Sequence, residues 1–484
     1  MKIRQQGAFG AGLPRNQEKV AVSSRKHFAP MLLTIGLGVF APVFAVAESP
    51  DSNAAILKHW LTTYHSARDA DLKAFAQRYM GNSDIAFALD TREETGGFSL
   101  VKIQTDEPLK LTALIRERLS KALWQVTMTR TSPGALPLER LRYRPVPMSS
   151  QADALAALDA FATRLAAADH FSGVLAVSTK GQTVFAKAWG LADRGTKTPV
   201  SIDTPFLFAS QGKMFTAVAV LQLIEAGKVN FDDPIGRYLP DYPNAEVAQK
   251  VTVRELLAHT DGTGEMGLLE PQDGKNRAAV HSIADIIALN GTRGPAFEPG
   301  SKFDYANYGY ILLGALIEKV SGQSYYDYVQ EHVFRPAGMT HSGYPLREAM
   351  SGVAVGYTRS DSGGLRDSSD QLPWRGTPAG GGVSTAGDML RFTAALNAGK
   401  LLSPAMLAEA TKRQTKWYGY GFISVSDDGF TYWGHGGGAQ GNSLVLGYRP
   451  ANETSLVCMS NRDPPICDRL AFNFLFRSPK GSEQ

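Results

Sequence analysis

Cysteine is nearly absent from this chain: among 484 residues, Cys458 and Cys467 are the only two. That excludes a cysteine-rich disulfide scaffold and a zinc site built on four thiolates. His-Glu-x-x-His, the helical signature of zinc hydrolases, does not occur, nor does the Gly-x-Ser-x-Gly turn of α/β-hydrolases. Excess positive charge is missing from the body of the chain. The formal charge is +4, but residues 1–47 hold six basic residues (Lys2, Arg4, Arg15, Lys19, Arg25, Lys26) against Glu18 alone. This leaves 44 basic and 45 acidic residues elsewhere, a net of −1. A nucleic-acid partner would need a basic excess in the folded part, so none is expected. No segment repeats at a fixed period, and beyond residue 47 no apolar stretch is long enough to span a bilayer. What remains, 43% hydrophobic and 20% charged, is an ordinary globular composition with room for two to four domains.

The first 47 residues have the plan of a secretory signal. A basic segment precedes an apolar run from Phe28 to Ala47, and Ala45-Val46-Ala47 offers small residues for cleavage before Glu48. Ser24-Arg25-Lys26-His27-Phe28 resembles a twin-arginine export signal with Lys26 in place of the second arginine. The expectation is export to the periplasm or beyond. The alternative is an uncleaved anchor, which would make the leader the chain's one contact with a membrane. In an exported protein Cys458 and Cys467 can bridge; two buried, unpaired thiols are the other reading.

Three parts are expected: a signal peptide over 1–47, a small α+β accessory domain over 48–147, and a larger domain over 148–484. In the accessory part, apolar residues at helical spacing (Ile56, Trp60, Leu61, Tyr64, Leu72, Phe75, Tyr79) predict helix across 53–80. Strands follow at 98–103, 122–129 and 138–143. After Arg144-Pro145-Val146-Pro147 comes an alanine-rich helix over 152–168, then strands at 172–177 and 183–189. Helices are expected over 251–259, 282–289, 308–320, 325–333, 387–398 and 404–411, with loops over 352–382. Strands at 419–425, 429–433, 443–448 and 455–460 and a helix over 470–476 close the chain. Strands at both ends imply one antiparallel sheet with a helical lobe inserted.

The chemistry centres on Phe206–Ala217. Ser210 opens a helical apolar pattern and Lys213 follows at i+3, on the same helix face. Burial lowers a lysine pKa, and a neutral lysine can take the serine proton and make it a nucleophile. Ser-x-x-Lys also occurs at Ser23 and Ser99, so the motif alone says little. Three further stretches single out Ser210. Tyr305-Ala306-Asn307 brings a phenol, whose proton a nearby lysine would loosen, and an amide for the substrate or for Lys213. His435-Gly436-Gly437-Gly438 brings a strand that a substrate backbone can approach closely. Thr377–Gly382, with Gly380-Gly381-Gly382, reads as a pocket wall.

In this order, the segments resemble the serine beta-lactamase-like superfamily, specifically the class C beta-lactamase, D-alanyl-D-alanine carboxypeptidase and family VIII esterase group. The resemblance covers roughly 152–477. Leu256–Gly262 and Gly380–Thr385 are similar to the family as well. The resemblance implies an α/β (α+β) beta-lactamase/transpeptidase-like fold and acyl-enzyme chemistry without metal or cofactor. It implies Ser210 as nucleophile, Lys213 and Tyr305 as acid/base partners, and Asn307, His435, Gly436 and Gly437 as substrate-binding. The backbone N–H groups of Ser210 and Gly438 would form the oxyanion hole. His435 stands where many members carry lysine. With an ordinary pKa of about 6.5 it is a weaker carboxylate anchor at pH 7. Gly436 and Gly438 also lack the hydroxyls common there, and Ala306 replaces a serine. Ester, amide or peptide hydrolysis is therefore expected ahead of beta-lactam turnover, on a small-molecule or peptide substrate with an acyl group. The alternative is a non-catalytic penicillin-binding-like module sensing a cell-wall or small-molecule ligand; the retained Ser, Lys, Tyr and Asn argue against it.

Overall fold

The computed structural model describes residues 51–66, 68–266, 280–361, 363–427 and 430–480. The expected signal peptide lies outside them. Contacts divide the chain into two compact units after Val146.

In the first unit, helices Asn53–His65, Asp69–Met80 and Ala86–Thr95 accompany a four-stranded antiparallel sheet in sequential order. Trp60, Tyr64, Phe75, Phe98, Leu111, Trp124 and Val126 are in its core. The helix expected over 53–80 is two helices, because Ser66 turns extended (φ −67°, ψ 134°) and ends the first. Two elements escaped the sequence pattern. Helix Ala86–Thr95 buries only Thr91 and Thr95, so it carries no apolar stripe. Strand Lys110–Glu117 alternates, with Leu111, Ala113 and Ile115 inward, and is joined to Phe98–Glu107 by a tight turn in which Glu107 faces Lys110.

The second unit is built on six antiparallel strands. Their order is Ile423–Asp427, Phe430–Ala439, Asn442–Arg449, Thr454–Ser460, Gly173–Thr179, Gln182–Trp189. The N-terminal hairpin thus completes a C-terminal meander, as expected from strands at both ends. Gly173–Thr179 and Thr454–Ser460 are buried along their length except at the half-buried Thr179, so their side chains are covered on both faces of the sheet. Helices Gln151–Ala167 and Ile466–Arg477 pack together, and Ala386–Asn397 lies against the central strands. In the inserted lobe, Gly212–Glu225 is the central helix, with every residue from Gly212 to Leu221 buried. A helix apolar on all sides belongs inside a domain, and Tyr308–Ser321 packs against it. The helix expected over 325–333 is a composite: Tyr325–Val329, a π-helical segment Gln330–Phe334, then Arg335–Ala337. The loops expected over 352–382 include one short ladder, Tyr357–Arg359 with Leu365–Asp367.

Cys458 and Cys467 are joined in a disulfide that closes a loop of sequence separation 9. By loop entropy, replacing both with alanine is expected to cost about 2–3 kcal/mol, read as a lower urea midpoint with unchanged far-UV dichroism. Among the described residues no helix is long and apolar enough to cross a membrane.

Candidate active site

The nucleophile candidate sits where strand turns into helix. Phe206–Leu207 pairs with Val383–Ser384, Ala209–Gln211 forms a 3₁₀ turn, and the buried helix starts at Gly212. Ala209 has φ +40°, a left-handed conformation that costs a non-glycine residue energy and persists only when its surroundings enforce it. The enforcement comes from the glycine loop. The Phe208 N–H donates to Gly382 O (2.8 Å), and the Gly381 N–H donates to Ala209 O (3.2 Å). Gly380 has φ +143°, and a Cβ there would lie 2.0 Å from Ala209 O. The loop expected as a pocket wall is thus a clamp on the nucleophile turn. Gly380→Ala is expected to cost about 1–3 kcal/mol in a urea melt and to slow covalent labelling at Ser210.

Lys213 is fully buried, and its amine meets three oxygens: Asn307 Oδ1 (2.6 Å), Ala379 O (2.9 Å) and Ser210 Oγ (3.3 Å). The Tyr305 and Tyr310 rings lie 4.8 and 5.6 Å from it. Burial brings its pKa down from 10.5 to about 7, against a smaller upward pull from the Glu265 charge. A neutral amine has two N–H bonds and one lone pair. The two carbonyl oxygens can only accept, so they take the N–H groups and leave the lone pair for the Ser210 hydroxyl. Ser210 itself is half-buried and accessible.

Tyr305 lies beside Ser210, and its pKa is raised, chiefly by burial; the Ser210 hydroxyl pulls it down and the Glu265 charge pushes it up. The expectation that a nearby lysine would loosen this proton is therefore corrected. Desolvation outweighs the cation, because the lysine is itself buried and near its own pKa. Tyr305 stays a phenol.

Asn307 is buried at the N-terminus of helix Tyr308–Ser321. Its Oδ1 faces Lys213, and its Nδ2 donates to Glu265 Oε1 (3.0 Å) and Oε2 (3.1 Å). Glu265 fixes which way the amide points, and no sequence pattern marks it, since it lies 42 positions away in a stretch without periodicity. His259, fully buried, packs against Tyr305 with the rings tilted by 39° and their centres 4.3 Å apart. Burial first, then the Lys213 and His435 charges, hold its pKa well below 6.5.

His435 is also buried, at 3% exposure. Its Nδ1 faces Gly436 O, which can only accept, so Nδ1 carries the proton. Its Nε2 then accepts from the Tyr418 hydroxyl at 3.0 Å. Burial, helped by the Lys213 charge, lowers its pKa to about 3. The expected carboxylate contact is corrected: the ring is neutral and both nitrogens are engaged within the protein. Gly437 lies against the nucleophile turn. A Cβ added there would stand 3.0 Å from Phe208 O and 3.3 Å from Ser210 N, so glycine permits the approach. Gly436 and Gly438 flank it and pair with Val445 and Ser443. Among the described residues no group of three His, Cys, Asp or Glu is placed to hold a metal ion.

Residues 158–472 match the Beta-lactamase family model. The chain belongs to that family and is a serine hydrolase. It is 32% identical over 295 residues to the putative penicillin-binding protein PbpX of Bacillus subtilis (strain 168), covering 60% of this chain and 71% of the relative. It is 27% identical over 296 residues to a D-aminopeptidase of Brucella anthropi, covering 60% and 56%. The crystal structure of a penicillin-binding protein from Bacillus halodurans superposes with a TM-score of 0.60 at 29% identity, covering 64% of this chain and 97% of that one. The fold is beta-lactamase/transpeptidase-like, as the family match and that structural neighbour show.

Proposed function

We propose that the protein is an exported hydrolase that cleaves an ester, amide or peptide through an acyl-enzyme on Ser210. Lys213 takes the Ser210 proton, and the Tyr305 phenol passes a proton toward the leaving group. The N–H groups of Ser210 and Gly438 face the developing oxyanion, and Asn307 orders Lys213. The observation that carries this reading is the buried Lys213 amine, brought to a pKa of about 7, at 3.3 Å from Ser210 Oγ. Relatives named as a D-aminopeptidase and a D-amino acid amidase support an aminoacyl substrate over a beta-lactam. The neutral His435 supports the same order, since it supplies no positive charge for a substrate carboxylate. The leader and the disulfide support an oxidising compartment outside the cytoplasm. The test is a panel of nitrophenyl esters, D-amino-acid amides and nitrocefin, run beside Ser210→Ala. Ester and amide turnover above nitrocefin turnover is expected. Nitrocefin as the fastest substrate would overturn the order.

A further inference from the structure

We propose that His259 is the positioning residue for the Tyr305 phenol and, through it, sets how basic a leaving group the site can expel. The inference rests on the acyl-enzyme reading above and adds to it a residue that acts only through Tyr305.

His259 closes the short helix Val253–Ala258 in a left-handed conformation (φ +56°, ψ +40°). A non-glycine residue holds that conformation at a cost, so its surroundings must fix it. They do so along the segment that leads to Tyr305. The Ala296 N–H donates to Gly262 O (2.8 Å), the Gly300 N–H to Thr260 O (2.8 Å) and the Asp304 N–H to His259 O (2.9 Å). On the other side of Tyr305, the Ala306 N–H donates to His259 Nδ1 (3.4 Å). The backbone before and after Tyr305 is thus tied to one residue. The imidazole also lies closer to the phenol ring, at 4.3 Å between centres, than Tyr418 at 6.2 Å or His435 at 6.4 Å.

The protonation of the imidazole follows from its partners. The Ala306 N–H can only donate, so Nδ1 accepts and the proton sits on Nε2. The neighbouring hydroxyls do not compete for Nδ1. Tyr310 donates to Leu257 O (2.9 Å), and Tyr418 donates to His435 Nε2 (3.0 Å). The buried His259 Nε2 has no hydrogen-bond partner among the described residues. An unpaired buried donor is a cost that a hydrocarbon ring in the same place avoids. What the histidine supplies over such a ring is the Nδ1 acceptor. Burial first, then the Lys213 and His435 charges, keeps the imidazole neutral, so the acceptor is present at pH 7.

The step that depends on this placement is the expulsion of the leaving group. As its bond to the acyl carbon breaks, the leaving oxygen or nitrogen takes the Tyr305 proton. The proton that Lys213 took from Ser210 then restores the phenol. A nitrophenolate leaves as a stable anion and needs little of that help, whereas a phenolate or an alkoxide needs more. A displaced Tyr305 therefore costs most where the leaving group is most basic.

The test measures kcat/KM of the full chain for p-nitrophenyl, phenyl and trifluoroethyl acetates, a series of rising leaving-group pKa. His259→Phe keeps a ring and loses the acceptor. It is expected to lower kcat/KM about 10²-fold for the phenyl and trifluoroethyl esters, but only about threefold for the nitrophenyl ester. His259→Asn tolerates the left-handed backbone and returns an acceptor near the place of Nδ1, so it should recover about tenfold of that loss. His259→Gly keeps the left-handed backbone without ring or acceptor, and carries the same expectation if His259→Phe does not fold. In a Tyr305→Phe background, His259→Phe should add less than about twofold to the loss on any ester. Equal losses on all three esters would mean that His259 only supports the fold, and would overturn the proposal. A full effect in the absence of the Tyr305 hydroxyl, or no recovery in His259→Asn, would overturn it too. Fluorophosphonate labelling of the wild type separates the two levels. If Ser210 is not labelled, the acyl-enzyme reading fails; if it is labelled and the three losses are equal, only the role of His259 fails.

Discussion

Ser210→Ala is expected to lower turnover of the best ester or amide by about 10⁴-fold or more, equivalent to roughly 5.5 kcal/mol of lost transition-state stabilisation. The size follows from the arrangement. Lys213 is held by Asn307 Oδ1 and Ala379 O so that its remaining valence points at one oxygen, Ser210 Oγ. Removing that oxygen leaves a positioned base with nothing to deprotonate except water. The fold should survive, since a half-buried serine becomes a smaller residue with no lost packing. Unchanged thermal unfolding together with the loss of turnover is the expected pair of results, measured by dichroism and by release of nitrophenol. Turnover within tenfold of wild type would remove Ser210 from the chemistry.

The second large effect concerns Lys213. Lys213→Met, close in volume and unable to accept a proton, is expected to slow acylation by about 10²–10⁴-fold. The pH dependence gives the sharper reading. The buried amine has a pKa of about 7, so it is an ammonium below that value and a base above it. Wild-type acylation should therefore rise as pH increases through about 7 and then level off. His435, with its pKa near 3, and Tyr305, with its pKa raised, contribute no inflection between pH 5 and 9. Lys213→Met should show no rise at 7. The variant also leaves Asn307 Oδ1 and Ala379 O without a donor, so some loss of stability is expected and should be measured alongside the rate. A rise at pH 7 that persists in Lys213→Met would assign the base to another group.

The order of Ser210, Lys213, Tyr305, Asn307 and the His435 strand was legible from residue types alone. The structure brings Ser210, Lys213, Tyr305 and Asn307 to one place, with Gly437 against the turn. The sheet was legible for a related reason: the apolar stretches Val174–Val177 and Leu456–Met459 are buried and read as strands at the two ends of the larger domain. Two kinds of information were not in the pattern. One is long-range pairing, as in Glu265 with Asn307 and Tyr418 with His435, where neither partner marks the other in sequence. The other is desolvation. From sequence, His435 looked like a partly charged anchor and Tyr305 like a loosened phenol. Burial makes the first neutral, with the Lys213 charge acting in the same direction, and tightens the second, because the cost of placing a charge in the interior is the largest influence on each. Helix Ala86–Thr95 was missed for a simpler reason: it buries two threonines and no apolar stripe.

The most direct test of the central claim is peptide mapping of the native chain after reaction with a fluorophosphonate. The site geometry predicts one adduct, on the peptide containing Ser210, forming faster above pH 7 than below it. An adduct on another residue, or labelling of equal yield in the Ser210→Ala protein, would contradict it.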